Sequence, residues 1–326
     1  MHGAPRSGCR FTSIVIILRM NRLTRKLFTT VLAGSALIAA AHAKDVLVTT
    51  EWAAQNANNA DVRILEVSVD PGLYEKGHIP GAANISWHND LVDTVRRDIV
   101  SKEQFEALAS RLGITPKTTV VLYGDNNNWF AAWGAWIFNV YGHGDVRLLD
   151  GGRKKWELEK RPVDTTPPAL AATAYKVDKT HFDLRARLSD VVAVAEGKSD
   201  AKLLDIRSAD EYSGKLFAPA NSKELSVRAG HVPGAVNVTW SKAVNQEDGT
   251  FKSKEELKKL YADAGVDGSK TTIAYCRIGE RSSHSWFALS QILGYPAKQY
   301  DGSWTEYGNA VGVPINNPSL TVWTGK

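Results

Sequence analysis

Residues Gly77-His78-Ile79-Pro80-Gly81-Ala82-Ala83-Asn84-Ile85-Ser86-Trp87 return 153 positions later as Gly230-His231-Val232-Pro233-Gly234-Ala235-Val236-Asn237-Val238-Thr239-Trp240. Ser101-Lys102-Glu103-Gln104 returns as Ser253-Lys254-Glu255-Glu256, and Asp150-Gly151-Gly152 as Asp301-Gly302-Ser303. A nearly constant offset over so long a stretch means a duplicated domain; solenoid repeats have periods of about 20–50 residues. Residues 165–174, with Pro167-Pro168 and a run rich in Ala and Thr, read as the linker between the copies.

Each copy alternates strand and helix signals. In the second, 203–206 and 236–238 are short apolar runs suited to buried strands, and 271–275 is a β-branched strand. Ser253 with Glu256 three residues on forms a capping box that opens a helix ending near Gly265. Residues 282–293 read as a helix stopped by Gly294-Tyr295-Pro296. The first copy matches, with strands at 64–67 and 119–123 and helices at 102–112 and 129–141. Such alternation predicts an α/β fold in which each domain is a mainly parallel sheet flanked by helices. Ligands in such sheets bind outside the carboxyl ends of the strands.

The 326 residues are 43% hydrophobic and 23% charged, which excludes a disordered chain. The formal charge of +5 points at first to a nucleic acid or membrane partner. Six of the 40 Lys and Arg lie in residues 1–43, which hold no acid, so the remaining 34 face 35 acidic groups. The basic excess belongs to the N-terminus, and no nucleic-acid partner is expected. From Met20 that segment reads as a secretory leader: Arg22, Arg25 and Lys26, an apolar run from Leu27, then Ala41-His42-Ala43. The run is short for a membrane span of about 20 residues. The expected layout is an extension plus leader at 1–43, a first domain at 44–164, a linker at 165–182 and a second domain at 183–326. Periplasmic or secreted localisation follows, with no stable membrane insertion once the leader is cut.

Cleavage after Ala43 would remove Cys9 and leave Cys276 as the sole thiol. An unpaired cysteine in an oxidising compartment is a candidate reactive group. It opens the loop Cys276-Arg277-Ile278-Gly279-Glu280-Arg281-Ser282, between a strand and a helix. Converging backbone N–H groups, the helix N-terminus and two guanidinium groups all favour a thiolate, the nucleophilic form. Gly279 lets the backbone curl. The matching loop of the first copy, Tyr123-Gly124-Asp125-Asn126-Asn127-Asn128, puts Gly124 opposite Cys276 and carries neither thiol nor cation.

This constellation resembles the rhodanese family, specifically its tandem-domain thiosulfate sulfurtransferases, over residues 45–316. The carriers are the duplicated G-H-[IV]-P-G-A segment, Asp205-Ile206-Arg207, the Cys276–Arg281 loop and Asp301-Gly302-Ser303-Trp304. The resemblance implies two tandem rhodanese-like domains with only the second active. Cys276 would hold a persulfide, Arg277 and Arg281 would bind the sulfonate of thiosulfate, and Arg207 would face the loop. Gly279, Glu280 and Ser282 complete the expected substrate-binding set. The implied reaction takes sulfur from a small-molecule donor to cyanide, a thiol or another thiophilic acceptor, with no cofactor or metal; whether a protein accepts the sulfur is left open.

Alternatives are set by the same residues. Phosphatases of this fold use C-x5-R, and here only four residues separate Cys276 from Arg281. Mercaptopyruvate-using relatives have a loop with few charges, so two Arg favour thiosulfate. A sulfur carrier without turnover would share the loop. His78 and His231 occur in both copies and read as structural; His284 lies beyond the loop and could face sulfur or solvent, although no backing Asn or Asp suggests a Cys–His pair. The ten Trp read as packing residues, Trp87 matched with Trp240 and Trp156 with Trp304, with Trp304 the exception in that the resemblance places its loop near the active site. The second copy has 14 extra residues between Asp205 and Gly230, read as a surface loop at 213–229.

Overall fold

The first copy begins with strand β1 (Leu47–Val48) and continues through β2 (Val62–Glu66) and β3 (Ala83–Asn84). A hairpin of β4 (Val92–Asp93) and β5 (Asp98–Ile99) precedes β6 (Thr119–Tyr123) and β7 (Val146–Leu149). The second copy contributes β8 (Lys202–Asp205), β9 (Val236–Asn237), β10 (Thr272–Tyr275) and β11 (Ala297–Gln299). The computed structural model describes residues 45–222 and 226–324; the expected leader lies outside them. The sheets run β1-β7-β6-β2-β3 and β11-β10-β8-β9, every neighbouring pair parallel. Both central strands are buried along almost their whole length, as expected of strands covered on both faces.

Register fixes the equivalence of the copies. Glu66 pairs with Tyr123 in the first sheet and Asp205 with Tyr275 in the second, so Gly124 and Cys276 occupy the same position. The helices Lys102–Arg111 and Lys254–Ala262 open on complete capping boxes, Ser101 with Gln104 and Ser253 with Glu256. The helix after Cys276 differs from its expected span. It starts at Glu280, because Gly279 takes a left-handed φ of +99°, and it loosens into a π turn at Ala288–Ile292 before Gly294.

The two copies share a core. Helix Trp129–Val140 of the first packs on Glu280–Phe287 of the second, and one continuous apolar cluster runs from Leu65 through Trp136 to Trp286. Trp129 meets Trp240 edge-to-face at 4.8 Å across this seam. Polar staples reinforce it: Lys155 pairs with Asp248 at 2.6 Å, and Asp150 accepts the Phe251 N–H at 2.9 Å. The loop that holds Cys276 is therefore pressed between two domains.

Two expectations are refined. Trp156 and Trp304 are not equivalent: the Asp-Gly turns align Arg153 with Trp304, and both backbone N–H groups bond the carbonyl at the position of the thiol, Gly124 or Cys276. The 213–229 insertion is strapped down at its far end, where Arg228 donates to the carbonyls of Tyr307, Gly308, Ala310 and Val313. Among the described residues no helix is long and apolar enough to cross a membrane.

Candidate active site

Strand β10 delivers Cys276 to the carboxyl edge of the sheet, where the chain turns at once into a helix. Neighbouring backbone holds the turn in place. Cys276 donates its N–H to Ser303 Oγ at 3.0 Å, and its carbonyl accepts the Trp304 N–H at 3.0 Å. Arg277 is held likewise, its carbonyl accepting the Thr305 N–H at 2.9 Å. The Asp301–Trp304 segment thus buttresses the loop. Gly279 is required twice over. Its φ is left-handed, and a Cβ there would meet Trp133 Cζ3 at 2.5 Å and Asp301 at 2.9 Å.

The sulfur is enclosed and polar. Gly279 donates its N–H to Sγ at 3.1 Å, and the Sγ–H donates to Glu280 Oε2 at 3.4 Å. Arg281 is bidentate to Glu211, both contacts at 3.2 Å, and its Nε lies 3.6 Å from Glu280. These four groups are almost wholly removed from solvent: Cys276 is 0% exposed, Glu211 1%, Glu280 3% and Arg281 7%. Ser282, also buried, bonds the Gly279 carbonyl at 3.1 Å. Arg277 is half-buried beside the turn.

Electrostatics correct the expectation of an ionised thiol. Burial pushes the Cys276 thiol up, the Glu280 carboxylate pushes it further, and the opposing pull of Arg281 and Ser282 does not reverse the sign. The resting group is a thiol hydrogen-bonded to a carboxylate. Glu211 behaves in the opposite sense: burial raises it, but Arg281 and Arg207 hold it below the usual carboxylate range. The guanidinium expected to acidify the sulfur is thus shared with two carboxylates. Because Cys276 has no exposed surface, a donor reaches it only by displacing side chains around the loop.

Arg207 is committed elsewhere. It is 1% exposed, bonds both Asp205 oxygens and the Gly230 carbonyl, and lies 4.5 Å over the Trp304 ring. His284 faces neither sulfur nor solvent: it stacks on Phe251 at 4.2 Å, and burial pushes it down to about 3, which keeps it neutral. His78 and His231 are stacked on Tyr74 and Tyr212 and bond those residues' carbonyls, as a structural role requires. Glu211 and Ser303 were missed by sequence reasoning. A signal existed for Glu211, since Ser208 and Glu211 form a capping box on the short Ala209–Ser213 helix.

The matching loop of the first copy has no thiol and is closed on itself. Asn128 turns its amide inward, accepting the Gly124 N–H at 2.9 Å and donating to the Leu149 carbonyl at 2.7 Å. A Cβ at Gly124 would lie 2.4 Å from the Val67 carbonyl oxygen, so no thiol fits there without moving backbone.

Known proteins resemble this chain over both copies. A family model of the rhodanese-like domain matches residues 49–159 and again 190–310. A protein of Saccharopolyspora erythraea named "Putative thiosulfate sulfurtransferase" is 56% identical over 277 residues, 84% of this chain and 97% of that protein. The "Sulfur carrier protein TtuD" of Thermus thermophilus is 52% identical over 277 residues, 83% of this chain and 96% of that protein. Among solved structures, YnjE superimposes with a TM-score of 0.71 at 27% identity, covering 83% of this chain and 68% of that one. SseA from Escherichia coli, titled a 3-mercaptopyruvate sulfotransferase, shares the fold with a TM-score of 0.68 at 24% identity, covering 80% of this chain and 99% of that one.

Proposed function

This chain belongs to the rhodanese family of sulfurtransferases, with two rhodanese-like domains in tandem, and from that premise we propose that its second copy moves the outer sulfur of thiosulfate through a Cys276 persulfide to cyanide or a thiol. The observation that carries the reading is the ring around Sγ: one backbone N–H, one carboxylate and a buried guanidinium within the same turn.

The thiosulfate dianion enters with its sulfonate toward Arg277 and Arg281, where bidentate oxygen contacts suit a guanidinium. The Sγ–H proton passes to Glu280, already its hydrogen-bond acceptor. The sulfur attacks the outer sulfur of the donor; the donor's S–S bond breaks, and sulfite leaves with the bonding pair. Thiol, carboxylate and dianion become persulfide anion, carboxylic acid and sulfite, so three negative charges stand on each side. The Gly279 N–H faces the developing charge as an oxyanion donor does. Cyanide then attacks the terminal sulfur, the bond to Cys276 breaks, thiocyanate departs and Glu280 returns the proton. Glu280 thus stores one proton per cycle, which spares a buried site a change of net charge.

Two arginines beside the thiol favour an anionic sulfonate donor over mercaptopyruvate. The carrier reading is supported by the Thermus relative's name, and turnover separates the two. With thiosulfate and cyanide in excess, continuous thiocyanate release at a rate above that with 3-mercaptopyruvate supports the proposal. One equivalent of sulfur transferred and no more, or the reverse donor ranking, contradicts it. Export belongs to the same proposal: protein recovered from expressing cells begins at Lys44 on N-terminal sequencing, and retention of residues 20–43 would overturn it.

A further inference from the structure

A cavity of about 380 Å³ lies in the seam between the copies, framed by the β4–β5 hairpin on one side and the Asp301–Glu306 turn on the other. It touches Ile278, two residues beyond the thiol, but not Cys276 itself. Its volume falls in the range of small-molecule sites. Four buried groups of its lining residues have no hydrogen-bond partner: the indole N–H groups of Trp87 and Trp133 and the hydroxyls of Tyr300 and Thr305. Trp133 is 4% exposed, and an indole N–H can only donate. A buried donor left without a partner is unfavourable, so a wall holding four such groups favours a ligand that brings an acceptor.

Charge points the same way. Two of the wall's three carboxylates are engaged: Arg185 holds Asp98 at 2.6 Å and Asp301 at 2.6 Å. Arg97, at the hairpin turn, makes no ion pair among the described residues. Arg187 reaches its nearest carboxylate, Asp98, only at 3.8 Å. Four arginines of the wall, Arg96, Arg97, Arg185 and Arg187, thus outnumber its three carboxylates, Asp98, Asp301 and Glu306. The Trp87 and Trp133 rings, 5.7 Å apart and edge-to-face, supply an apolar surface beside it.

We propose that this seam cavity holds the carboxylate end of a small thiol-bearing organic anion, the second substrate, beside the loop that carries the transferred sulfur. The inference rests on the persulfide reading above and adds a site for the acceptor, distinct from the Arg277–Arg281 turn assigned to the donor. No covalent step changes: the acceptor's sulfur, as thiolate, takes the place of cyanide.

The test compares an anionic acceptor, 3-mercaptopropionate, with a neutral one, 2-mercaptoethanol. Arg97 has a φ of +54°, so Arg97→Gly removes the charge at a backbone conformation that suits glycine, and folding is not at issue. The ratio of kcat/KM for the anionic over the neutral acceptor falls roughly tenfold in Arg97→Gly, the size of one charge-assisted hydrogen bond, and recovers in Arg97→Lys. Trp87→Phe, which keeps a ring and removes the N–H, lowers the same ratio. An unchanged ratio overturns the proposal. Binding is read separately in Cys276→Ser protein, which cannot carry sulfur: 3-mercaptopropionate quenches tryptophan fluorescence saturably there, and Arg97→Gly weakens this roughly tenfold. Absence of saturable quenching defeats the cavity assignment; quenching without any persulfide in the wild type defeats only the sulfur-transfer reading.

Discussion

Removing Arg281 probes both stability and chemistry at once. In Arg281→Met, the Glu211 carboxylate, 1% exposed and bonded at 3.2 Å through both oxygens, loses its partner inside the protein. Breaking a buried pair on one side costs about 3–5 kcal/mol, a large share of a total stability of about 5–15 kcal/mol. Glu211→Gln costs less, about 2 kcal/mol, because Arg281 keeps Glu280 at 3.6 Å and Gln keeps a hydrogen-bonding oxygen. In the double variant no unpaired charge remains at Glu211, so the combined loss falls short of the sum by about 2 kcal/mol or more. Urea unfolding at neutral pH, followed by fluorescence and circular dichroism together, measures the cycle. Additivity within about 0.5 kcal/mol would show that the pair is not what holds the loop. Activity moves separately: Arg281→Met lowers kcat/KM for thiosulfate by at least about tenfold with or without the Glu211 change, and drives the thiol further up.

Glu280→Gln keeps the shape of the acceptor but not its capacity for a proton. Persulfide formation, nearly independent of pH around neutrality in the wild type, then rises with pH by up to about tenfold per unit as the thiol ionises into solvent; an unaltered profile refutes the proton-storing role. Gly124→Cys yields no persulfide on the first copy and loses stability, since its Cβ meets the Val67 carbonyl at 2.4 Å; sulfur loading there would contradict the account of the silent loop. Burial pushes Asp150 up to about 6, so the folded chain binds more protons than the unfolded one between about pH 4 and 6, and stability falls as pH rises through that window. Asp150→Asn flattens this slope in urea titrations, and an unchanged slope refutes the assignment. Its neighbour Asp248, held down to about 2 against its own burial by Lys155 and Thr250, acts in a lower window and with the opposite sign.

The fold was legible because the chain states it twice. Strand β6 spans the anticipated residues, and the capping boxes at Ser101 and Ser253 start their helices where their side chains demand. The placement of the thiol followed from the same repeat, since β6 and β10 align Gly124 with Cys276. The electrostatics of the loop were not legible. Glu211 stands 70 positions before Arg281 and meets it only through the sheet topology. Glu280 was read as a substrate contact, not as a partner of the sulfur; its rotation toward Sγ depends on the helix beginning at that residue, which the left-handed Gly279 allows. The seam cavity was invisible for a related reason, because its wall joins a hairpin of one copy to a turn of the other. Local pattern reports elements, whereas charge balance inside a site is set by what packing brings together.

Intact mass spectrometry of the protein with and without thiosulfate addresses the central claim most directly. A gain of one sulfur atom on the wild-type chain, removed by cyanide and absent from Cys276→Ser, is the predicted result. An unmodified wild-type mass in the presence of thiosulfate, or sulfur retained in Cys276→Ser, would contradict the persulfide on which the mechanism turns.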